Sequence, residues 1–228
     1  ATAIASIDTG VLQSGVGPAD VSLGFTNQGA IAIHGLASAS NLAAPAHALS
    51  AINGGLVQRA NSTGAGDAQI DLTNNGQLDI AASASAHGIG TASATAVVVP
   101  GLVQSANSTS GNASVRLTNE DEIKANAQAN AVAGTGSAVA VAAVISGVAQ
   151  DANVVDGGVA SDQLTNNGTI NINVEAHANG PKFASAGAAL INGIVQSAAA
   201  ANGGSASVTL DNAAAITEMA SAVAQPLE

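Results

Sequence analysis

The chain restates itself. A Gly-aliphatic-x-Gln word opens at Gly10, Gly55, Gly101, Gly147 and Gly193 and closes at Gln13, Gln58, Gln104, Gln150 and Gln196, so it returns after 45 residues and then every 46. A second word, commonly Leu-Thr-Asn, sets Asn27, Asn74, Asn119, Asn166 and Asn212 at intervals of 47, 45, 47 and 46 residues, the same mean period. Two independent markers with one period specify a repeat architecture, in which each unit can bury its apolar face only against its neighbours.

Within each unit the apolar residues alternate. In TININVEAHA, Ile170, Ile172, Val174, Ala176 and Ala178 fall on one face, with Thr169, Asn171, Asn173, Glu175 and His177 on the other. EIKANAQANA and QLDIAASASA repeat the pattern in the same register, with Ile123 to Ala131 and Leu78 to Ala86 as their apolar sets. A period of two marks strands with one buried face. Ala favours helices, but a helix needs apolar residues three and four apart, and here Asn, Ser and Thr interrupt that spacing.

The spacing predicts three strands per unit: a short one before the Asn marker, the long alternating one after it, and a third from near Ser137 to Gln150. Gly-rich turns such as HGIGT and AGTGS separate them. Equivalent strands stacked in parallel, about 4.8 Å apart, give an all-β parallel β-solenoid (β-helix) of about 4.5 repeats of 46 residues. Its core is narrow and Ala-rich, because Phe25 and Phe183 are the only aromatic residues. Whether 46 residues make one large coil or two small ones stays open at this point. Residues 1–226 read as a single repetitive fragment of a longer protein, and Leu227 and Glu228 read as an appended expression remnant.

Composition limits the function classes. Only 8% of residues are charged, yet fifteen acids face four bases, for a net charge of −11. That balance repels phosphate backbones and anionic membrane surfaces, so neither nucleic acid nor a membrane is an expected partner. No apolar run reaches the length of a membrane-spanning helix. Cysteine is absent, which removes disulfides and thiolate zinc sites.

The stacked LTNNG turns, followed by TININ or QLDIAA strands, resemble the repetitive β-solenoid passengers of large bacterial surface proteins, of the filamentous-haemagglutinin and autotransporter-adhesin type. The resemblance implies a structural or adhesive role at the bacterial surface or outside the cell. It transfers no functional residue.

Candidate chemistry is sparse. The five Asn and five Gln residues of the two words would align in a stack, where side-chain amides can bond from course to course. His34, His47, His87 and His177 lie 7, 20, 13 and 11 residues after their nearest preceding Asn marker, so they form no column. GAGDAQIDL, residues 64 to 72, resembles a calcium-binding β-roll nonapeptide, but SGNASVRL and GGSASVTL lack its Asp, so the tandem oxygen ligands do not recur. No cofactor is expected. Ser, His and carboxylate residues show no recurring triad, and sugar-cleaving grooves want aromatic platforms that this chain lacks, so no enzyme activity is expected. The reading is a stalk or fibre segment, touching itself end to end or a host or matrix surface. Alternatives are a self-assembling filament subunit and a surface that binds polysaccharide or ice, with TASATA (91–96) as its best face.

Overall fold

A computed structural model of the chain describes residues 1–226. All regular structure among them is β-strand, and it stacks into four parallel sheets of five strands. Each sheet is one wall of a solenoid. The first wall holds β1 (Thr2–Ile7), β5 (Ala46–Ile52), β9 (Ala92–Val98), β13 (Ser137–Ile145) and β17 (Phe183–Ile191). The second holds β2 (Val11–Gly17), β6 (Leu56–Ser62), β10 (Leu102–Ser108), β14 (Val148–Val154) and β18 (Ile194–Ala200). The third holds β3 (Val21–Asn27), β7 (Ala68–Asn74), β11 (Ala113–Asn119), β15 (Val159–Asn166) and β19 (Ser205–Asn212). The fourth holds β4 (Ala30–Asn41), β8 (Gln77–Gly88), β12 (Glu122–Ala133), β16 (Thr169–Asn179) and β20 (Ile216–Gln225).

The chain is therefore a parallel β-solenoid in which 46 residues make one large coil, and five coils are described. Register is kept residue for residue: Gln104 pairs with Gln58 below and Gln150 above, and Asn119 with Asn74 and Asn166.

Two details of the expected coil are corrected. Each coil has four strands rather than three, because the single strand anticipated from Ser137 to Gln150 is two, β13 and β14. Between them Ser146 takes a positive φ of 61°, and Gly147 follows. A Cβ at Gly147 would collide with the Ile172 side chain of the fourth wall, so glycine lets the second wall approach it. The segment SANSTSGN (105–112), which a three-strand coil would assign to a corner, is half strand: β10 runs on through Ser108, and the turn occupies residues 109–112.

The interior has two compartments. The larger lies between the first and fourth walls, where Ala94, Ala96, Ala138 and Ala140 meet Ala82, Ala84, Ala127 and Ala129. Ile52, Leu102, Leu117, Ile123, Leu164 and Ile170 fill the junction where all four walls converge. The smaller compartment lies between the second and third walls and contains Ala60, Ile70, Ala106, Val115, Ala152 and Val154. Burying these apolar surfaces drives the stacking, at roughly 25 cal/mol per Å² removed from water.

Candidate functional site

The most ordered polar features are two amide ladders inside the solenoid. Asparagine ends each strand of the third wall with its side chain turned inward. Asn27 Nδ2 donates to Asn74 Oδ1 at 2.8 Å, Asn74 to Asn119 at 2.8 Å, Asn119 to Asn166 at 2.7 Å and Asn166 to Asn212 at 2.7 Å. The same amides donate to backbone carbonyls of the coil above, as Asn74 does to Glu122 at 3.1 Å, which ties the third-to-fourth wall turn to its neighbour.

Glutamine forms the second ladder from mid-strand in the second wall. Gln58 Nε2 donates to Gln13 Oε1 at 2.7 Å, Gln104 to Gln58 at 3.1 Å, Gln150 to Gln104 at 3.0 Å and Gln196 to Gln150 at 3.0 Å. Most also cross to the third wall, as Gln104 does to the Arg116 carbonyl at 3.1 Å. The row stands within the coil, where it separates the two compartments, and not at a corner. The ladders run in opposite senses: Asn donates toward the C-terminal coil and Gln toward the N-terminal one.

One buried acid has no counterpart among the residues singled out from the sequence. Asp162 occupies an inward column otherwise built of Leu23, Ile70, Val115 and Val208. It is fully buried, its Oδ2 accepts the Ser197 N–H at 3.0 Å, and its Oδ1 has no partner. Desolvation pushes its carboxyl up to about 7; the Ser197 bond opposes the shift and the Asp151 charge adds to it. The signal is present in the sequence, since Asp162 shares the parity of Ala160 and Leu164 in VASDQLTN.

The remaining candidates do not converge. His34 bonds Asp79 at 3.0 Å outside the fourth wall, His47 lies outside the first, and His87 and His177 sit on separate coils of the fourth. Asp67 caps a turn by accepting the Asn112 backbone N–H at 2.7 Å, and Glu120 and Glu122 are engaged by Asn167 and Lys124. Among the described residues no group of three His, Asp or Glu side chains could hold a metal ion. Two shallow depressions of about 220 and 210 Å³ lie outside the fourth wall, lined chiefly by Ser83, Gln128 and Asn130 and by Lys124, Asn126 and Asn173. Both fall below the size of ordinary small-molecule sites, about 300–1,000 Å³.

The walls, the common register and the ladders define a repeat protein of the parallel β-solenoid class. No family model matches the chain, and no curated protein or solved structure is significantly similar to it.

Proposed function

We propose that this chain is a structural section, a stalk or fibre segment, of a bacterial extracellular or surface protein. The observation that carries the reading is the pairing of all four walls through five coils, with a buried amide ladder on each side of the junction. Such a body resists bending, because flexing opens backbone pairs on one wall while breaking amide contacts inside. The resemblance of its Asn-Gly turns to surface adhesins supports the placement outside the cell, with a host or matrix surface as the contact. The test is electron microscopy of a chain lengthened by tandem copies of residues 92–137: straight rods of uniform width are expected, and flexible or collapsed particles would overturn the stalk.

The ladder ends favour a second reading, a subunit that stacks end to end. Among the described residues no donor reaches Gln196 Oε1, while Gln13 Nε2 has only the Gly24 carbonyl at 3.2 Å. A head-to-tail copy would join these two groups, whereas a head-to-head copy would oppose like with like. Glu218 works against stacking, since it takes the inward place held by Ile33, Ile80, Ala125 and Ile172 in the coils below, and a further coil would bury its charge. Glu218→Ile is therefore expected to produce concentration-dependent filaments; a variant that never polymerises would remove this reading.

A further inference from the structure

The outer surface of the first wall differs from the other three in its charge. The second wall carries Arg59 and Asp151, the third Asp71 and Arg116, the fourth Lys124 and Glu175. All five strands of the first wall contain no Asp, Glu, Lys or Arg, in a chain whose net charge is −11. Its outward residues are instead uncharged Ser, Thr, Ala, Val, Leu and Ile, with His47 and Phe183 toward the start of their strands. Ile4, Leu49, Thr95 and Val141 form one continuous outward column. Ile4 is 68% exposed, Leu49 39% and Val141 42%, which is costly for large aliphatics on a central column. Ala51, Val97 and Ala143 form the column beside it. A shallow depression of about 240 Å³ lies over Ile4, His47, Leu49 and Thr95.

We propose that this face is an interaction surface whose partner is a second copy of the chain, packed face to face. Three features select that occupant. First, two molecules of the same strong negative charge repel one another, and the first wall is the one broad face on which they can meet without opposing carboxylates. Second, five strands at about 4.8 Å spacing and roughly 25 Å in length give about 600 Å² per copy, or about 1,200 Å² in total, at the lower limit of stable interfaces. Third, the side-chain rows are spaced by the coil repeat, and only a body with the same repeat can interdigitate along the whole face. A second copy has that spacing by construction, as in the dry packing of paired sheets. A two-fold axis makes the contact self-complementary and closed, so it yields a dimer and not a filament.

The contact is independent of both readings above. Val141 lies outside every axial contact, so a lateral dimer can fail while the stalk stands, and the reverse.

The experiment is sedimentation equilibrium of the chain from about 1 μM to about 1 mM, a range that spans weak and moderate dimers. A monomer–dimer equilibrium is expected. Val141→Glu, which plants a charge on the face, should raise the dissociation constant by about a hundredfold or more. Gln128→Glu, outside the fourth wall, should leave it unchanged. Leu49→Glu repeats the test on a different coil should Val141→Glu fail to fold. A chain monomeric throughout, or a dimer indifferent to both face variants, overturns the proposal. So does co-sedimentation of a monomeric chain with an insoluble polysaccharide that Val141→Glu abolishes, since that result gives the face to a glycan.

Discussion

At the scale of single residues, the buried polar groups decide most. Asn119 is fully buried and bonds the amides above and below it, so Asn119→Ala leaves Asn74 Nδ2 and Asn166 Oδ1 each short of a partner. A loss of about 2–5 kcal/mol is expected from two orphaned groups, read by chemical denaturation. Asp162 gives the opposite sign. Its folded-state carboxyl titrates at about 7 against an ordinary 3.8, so the stability that comes from its neutral form is fully present below pH 3.8 and is lost as pH rises through about 7. Asp162→Val restores the apolar column, and should raise stability at pH 8 by about 1–3 kcal/mol and flatten the dependence between pH 4 and 7. Thermal melts across that window check both. Sequence spacing alone places the Asn and Gln columns at one height in every coil. It does not show which way each amide donates, because direction depends on backbone carbonyls that become neighbours only once the coil closes.

At the scale of strands and turns, glycine sets the corners. Gly147 stands where a Cβ would run into Ile172 and the Gly193 carbonyl, and Gly55 and Gly101 are crowded by the same arrangement in the coils below. Gly147→Ala is expected to cost about 1–3 kcal/mol through overpacking, measurable by the shift in denaturation midpoint. The third and fourth walls are legible in the residue pattern, because polar residues alternate cleanly with Ile, Leu and Ala on either side of the Asn turn. The corner between β13 and β14 is not. Ala138, Ala140, Ala142, Val144, Val148 and Gln150 keep one parity straight across it, so the alternation reads through the bend as if it were strand. Val139 and Val141 on the outer face blur the contrast further, and the proposed contact surface rests on the same want of outward charge.

At the scale of the whole molecule, the solenoid divides its labour by wall. The fourth presents amides and charges to solvent, the first a mixture of aliphatic and small polar residues without Asp, Glu, Lys or Arg, and the interior holds a large Ala-rich compartment and a small one parted by the Gln row. Among the described residues no group of three His, Asp or Glu side chains could hold a metal ion. The central property of the solenoid is that 46 residues add one course to a constant cross-section. Small-angle X-ray scattering from a series of chains carrying one to six extra copies of residues 92–137 tests this most directly. An unchanged cross-sectional radius is predicted, with a length that rises by about 4.8 Å for each copy. A cross-section that grows with copy number, or a rise near twice that value, would contradict it.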